Sequence, residues 1–152
     1  MARTLYQDGM ARLEAGDVEQ GRRLLEQALR DAPESAEVLH GLGQALDLAG
    51  ERVQAQALWE KANARAPTAV GPACELAMVY LENEEDARAE RVLKPVLEAH
   101  PDNTRAHLYM AMALAKTEPE RARAHLEKVL QSPDAEEREQ AELLHRVLAG
   151  QG

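Results

Sequence analysis

Pro33, Pro67 and Pro101 stand 34 residues apart, and this spacing constrains the fold more than any other feature of the chain. A period of that length marks a chain built from repeated supersecondary units. Other columns keep the same step. Leu25, Trp59 and Leu93 form one, Gly21, Ala55 and Ala89 a second, and Ala28, Ala62 and Val96 a third. Gly9, Gly43, Ala77 and Ala111 carry the pattern through a fourth copy. Gly16-Asp17 and Gly50-Glu51 mark a tight turn near the middle of the first two copies.

Each column has a physical reading. Small residues at fixed slots let two antiparallel helices approach closely, and the Leu or Trp beside them fills the space. Glycine in the mid-unit turn can take the left-handed conformation that ends a helix. Proline at the end of the unit stops the second helix and can open the next. Hydrophobic residues make up 45% of the chain but aromatics only 3%, with no Phe. A core of Leu, Ala, Val and Met suits close-packed helices better than a sheet, which favours β-branched and aromatic side chains.

A 34-residue unit with small, large and terminal-proline columns resembles the tetratricopeptide repeat. The second copy follows that pattern best, with Leu39, Leu42-Gly43, Leu46, Gly50, Ala55, Trp59, Ala62 and Pro67. The resemblance covers nearly the whole chain. It implies an all-α fold, a right-handed α-solenoid of four helix pairs plus a C-terminal capping helix. Residues 1–152 would form a single domain, with repeats at about 2–35, 36–69, 70–103 and 104–133 and the cap at about 135–149. Helix pairs are expected at about 3–15 and 18–31, 36–49 and 52–65, 70–82 and 86–99, and 104–116 and 119–131.

Several positions depart from the repeat. The fourth turn, Lys116-Thr117-Glu118-Pro119, lacks glycine and is one residue short, which shifts Ala122, Leu126 and Val129. Pro95 falls inside a second helix, removes a hydrogen bond and predicts a local kink. Asp8 and Arg12 stand where later copies have Leu42 and Leu46, or Leu76 and Tyr80, so the first unit is expected to end the stack with a polar face. Ala141, Leu144, His145 and Leu148 recur at helical spacing, with Asp134 as the cap of that last helix.

In this family the first helix of each pair lines a concave face, and ligands are held there by side chains outside the core columns. The resemblance therefore implies a protein–protein interaction module, adaptor or chaperone-like. Its partner-binding groove would comprise Tyr6, Met10, Leu13, His40, Gln44, Cys74, Met78, Leu81, Leu108, Tyr109 and Met112. Met10, Met78 and Met112 share one column. Flexible, polarizable thioethers adapt to varied apolar partners, so the ligand expected is an apolar peptide or an amphipathic helix. Packing of these residues against one another, or against the capping helix, is the competing reading. A self-assembling scaffold, a homo-oligomer in which one copy enters another's groove, is the alternative function. Size, acidity and groove are similar to those of the small tetratricopeptide chaperones of bacterial secretion systems.

Charge narrows the partner. The chain has 27 acidic and 18 basic residues, a net charge of −9, and no basic stripe. That disfavours nucleic acid and fits apolar or basic protein partners. The family's carboxylate clamp uses Lys, Asn and Arg, whereas the matching slots hold Tyr6, Met10, Gln44, Gly71 and Glu75. Glu75 would repel an acidic tail. No apolar run reaches the roughly 18 residues of a membrane span, and no signal peptide is recognisable. Cys74 is the one cysteine. A cytoplasmic protein without internal disulfides is expected.

Enzyme chemistry is not expected. The histidines His40, His100, His107, His125 and His145 accompany no phosphate loop and no nucleophile motif. His40 and Cys74 are too few for a metal site, and no cofactor is implied. His107 falls in a packing column, which gives it a structural role. The run Glu82-Asn83-Glu84-Glu85-Asp86 reads as a polar turn with Asp86 at a helix start.

Overall fold

A computed structural model describes residues 2–150. Among the described residues the regular structure is nine α-helices and no strand. They are α1 (Ala2–Glu14), α2 (Val18–Asp31), α3 (Ala36–Leu48), α4 (Arg52–Arg65), α5 (Val70–Glu82), α6 (Asp86–Ala99), α7 (Thr104–Leu114), α8 (Pro119–Val129) and α9 (Ala135–Gly150). Each helix begins and ends within two residues of the range the repeat predicts. The chain divides into two compact units, Met1–Pro67 and Thr68–Gly152.

In the first unit α1 packs on α2, α3 on α4, and α2 on α3. The turns repeat one design. Gly16 (φ 88°) and Gly50 (φ 83°) take the left-handed conformation. The Asp17 N–H then reaches back to the Arg12 carbonyl (2.9 Å) and the Glu51 N–H to that of Leu46 (2.8 Å). These bonds satisfy carbonyls that a helix end leaves open. Asp17 also caps α2, and Ser35 caps α3 by accepting from the Val38 N–H (3.2 Å). Leu25, Ala28, Ala55, Trp59 and Ala62 form the core, all essentially inaccessible. Arg22 links the pairs on the surface through Glu26 (2.8 Å) and Glu51 (3.1 Å). Asp8 and Arg12 are exposed.

In the second unit the same turn recurs between α5 and α6 without glycine. Glu84 takes the left-handed conformation (φ 60°), and the Glu85 N–H reaches the Tyr80 carbonyl (2.7 Å). Asp86 opens α6, and α6 continues unbroken through Pro95. The shortened fourth turn works differently. α7 stops at Leu114, the Glu118 N–H bonds the Leu114 carbonyl (2.8 Å), and Pro119 starts α8 with its preset φ. Leu76, Leu93, Val96, Leu114, Leu126 and Val129 fill this core. Asp134 caps α9 by accepting from Glu136 N–H (2.9 Å) and Glu137 N–H (3.2 Å). α9 buries Ala141 and Leu148 against the last pair, where the Arg123 guanidinium donates to the Leu148 carbonyl (2.8 Å).

Candidate functional site

The candidate residues of the first unit all lie on α1 and α3. Tyr6, Met10, Leu13, His40 and Gln44 are half-buried. Part of that burial is internal. A Cβ placed on Gly41 would lie 3.0 Å from Met10 Sδ and 3.1 Å from Tyr6 Cε1, so both side chains lean over that glycine onto α3. Leu13 points toward Gly21 of α2, where a Cβ would meet its Cδ2 at 2.7 Å. Tyr6 and Met10 therefore keep a free flank, and Leu13 serves mainly the α1–α2 contact. Burial, and secondarily the Glu37 carboxylate, raise the Tyr6 phenol above its ordinary value, so it stays a neutral donor.

In the second unit the candidates separate. Met78, Leu81, Tyr109 and Met112 are half-buried. Cys74 is fully buried and Leu108 keeps only 2% of its surface, so neither can meet a partner on the folded chain. The cause for Cys74 is reach. It occupies the slot of Tyr6 and His40, but its side chain is short and fully enclosed. Leu108 is covered by α9. It lines a hollow of about 190 Å³ with Arg105, Tyr109, Asp134, Glu136 and Gln140. Glu137 fixes the start of α9 by accepting from Thr104 Oγ1 (2.6 Å) and Ser132 Oγ (2.7 Å).

Arg105, which shares a repeat column with Arg3, Glu37 and Gly71 but is not among the candidate groove residues, organises this region. Its Nη2 lies 3.7 Å from Glu75 Oε1, its Nε donates to the Tyr109 hydroxyl (3.4 Å), and its guanidinium sits 5.5 Å from the Tyr109 ring centre. A cation partnered by a carboxylate and an aromatic ring is held in place by both. An Arg four residues before a Tyr on the same helix was the signal for this pair. Among the described residues no three His, Cys, Asp or Glu side chains group as a metal site needs. No helix among them is long and apolar enough to cross a membrane.

Tetratricopeptide repeat models match residues 12–73 and 74–137. No curated protein matches the sequence. Solved structures do match in fold. A thermophilic TPR protein of Thermus thermophilus is 22% identical, with a TM-score of 0.78 over 97% of this chain and 83% of that one. MamA from Desulfovibrio magneticus RS-1 is 20% identical, with a TM-score of 0.75 over 98% of this chain and 89% of its own. The pilF protein of Pseudomonas aeruginosa is 21% identical, with a TM-score of 0.76 over 99% and 76%. These likenesses show the fold, an all-α solenoid of helix pairs. Repeats of this kind generally mediate protein–protein interaction or scaffolding. With both matched segments describing the same repeat, the chain belongs to the tetratricopeptide repeat family.

Proposed function

We propose that the chain is an adaptor or chaperone-like protein that holds an apolar peptide or an amphipathic helix and performs no chemistry of its own. One observation carries the reading: Met10, Met78 and Met112 occupy the same slot of their repeats' first helices and all remain partly exposed. Methionines left partly open at a repeated position give a pliable apolar surface. On the first helices of the first unit Tyr6 and Gln44 are also half-buried, and on those of the second Leu81 and Tyr109 are. The net charge of −9 favours apolar or basic partners over acidic ones. A cytoplasmic setting agrees with a lone cysteine, which can form no internal disulfide.

Recovery of partners from a lysate, quantified by mass spectrometry, tests this reading on the full chain. A Met78→Ala/Met112→Ala variant with an unchanged helical spectrum is expected to lose the enriched partner. Undiminished recovery would falsify the methionine surface.

A second reading, self-assembly, draws on Leu143 and Val147, which lie one turn apart on α9 and are 55% and 56% exposed. Sedimentation separates the two. Mass that grows with concentration and is reset by Val147→Lys supports assembly, and a monomer at every concentration sinks it.

A further inference from the structure

His107 on α7 and His125 on α8 meet across the fourth helix pair, with Nδ1 2.8 Å from Nδ1 and ring centres 5.1 Å apart. The other nitrogen of His107, Nε2, lies 2.6 Å from the Pro101 carbonyl. Proton positions follow from those partners. A carbonyl can only accept, so His107 Nε2 carries hydrogen. In neutral His107 the Nδ1 is then a bare acceptor, and His125 must donate from its own Nδ1. One added proton is tolerated, because one ring can still donate to the other. Two are not, since N–H would face N–H at 2.8 Å between two positive rings.

His107 retains only 7% of its surface. Burial, then His107, then Arg121 on the same helix all oppose a proton on His125 and hold it down at about 4. Arg121 is itself fixed by Glu118 (2.8 Å) and by Glu90 of α6 (3.8 Å). On the α9 side, Arg123 is engaged with Glu120 (3.8 Å) and the Leu148 carbonyl (2.8 Å). From α7 the charge-bearing group that meets His125 is His107 itself.

We propose that the His107–His125 pair is an acid-sensitive lock on the last helix pair, closing α7 on α8 while at most one proton is bound and releasing them when both rings are charged. The test of the lock does not depend on finding a partner.

Long-range proton–nitrogen NMR on the full chain at neutral pH reads the tautomers directly. His125 is expected as the Nδ1–H form, the minor one for a free histidine, and His107 as the Nε2–H form. On acidification, amide protection in α7 and α8 should be lost together with uptake of the second proton. His125→Gln keeps a donor for His107 Nδ1 but cannot titrate, so its opening midpoint should fall by about one pH unit. An Nε2–H tautomer at His125 overturns the proposal, and so does an H125Q midpoint equal to that of the wild type. The tautomer is read on the unaltered chain and decides the matter even if the variant does not fold.

Discussion

Trp59 lies so close to Gly43 that a Cβ on the glycine would come within 2.7 Å of Trp59 Cδ1, while the indole Nε1 donates to the His40 carbonyl at 3.3 Å. The ring is thus wedged between two helices and tethered by its only polar atom. It cannot slide away without breaking that bond. Gly43→Ala gains roughly 1 kcal/mol of helix propensity. Overpacking costs about 1–3 kcal/mol in such a site, and with the hydrogen bond also at risk the strain wins. A net destabilisation of about 1–2 kcal/mol is expected in urea unfolding followed by Trp59 fluorescence. An unchanged midpoint would mean that the first unit can absorb a methyl group there.

Glu84 offers the opposite experiment. It holds φ 60° in a turn whose counterparts are Gly16 and Gly50. An L-residue in that conformation costs about 1–2 kcal/mol, partly offset by the extra freedom glycine has when unfolded. The side chain contributes little in return, because its contact with Lys116 is 3.8 Å long and strongly solvated on both sides. Glu84→Gly should therefore stabilise the chain by about 0.5–1 kcal/mol, whereas Glu84→Ala should leave it nearly unchanged. Equal effects of the two substitutions would rule out backbone strain as the cause.

Helix caps supply another graded test. Ser35 and Asn103 accept hydrogen bonds from the N–H groups of Val38 (3.2 Å) and Ala106 (2.9 Å). Ala69 holds the equivalent position before α5, with the right extended backbone (φ −71°, ψ 130°) and no side-chain cap. Ala69→Ser is expected to add about 0.5–1 kcal/mol. Ser35→Ala should remove a similar amount, and thermal unfolding of both variants checks the symmetry.

The helices were legible in the sequence because each repeat column is also a contact. Leu25, Trp59 and Leu93 stand 34 residues apart and are all buried at the same point of their pairs. A column does not report how far a side chain reaches. Tyr6, His40 and Cys74 share a slot, yet the first two emerge and the third is enclosed. Nor does it place an element that has no counterpart in the repeat. α9 covers Leu108 through contacts made by Ser132, Glu137 and Thr104, none of which recurs as a column. The pairing of His125 with His107 likewise belongs to no repeat column. The sequence could therefore assign the candidate residues to particular helices, while which of them stay exposed required the packing.

Cys74 turns that packing into a measurement. Burial raises its thiol to about 11, with Arg105 opposing the shift and Glu75 and Glu137 adding to it. The folded chain thus keeps its proton above pH 9, where an unfolded thiol loses it. Between about pH 9 and about pH 11 the native state binds more protons than the unfolded one, so stability is lost as pH rises through that window. Cys74→Ala should flatten this alkaline slope without altering the neutral fold. The same burial suppresses reactivity, because the thiolate is the nucleophile. Near neutral pH its population should fall about 100-fold below that of an exposed thiol, with steric closure slowing reagents further. Reaction with a thiol-specific reagent should then follow the opening of the second unit and accelerate with urea through its transition. A native-state rate equal to that of the unfolded chain would place Cys74 on the open face and return it to the partner-binding surface.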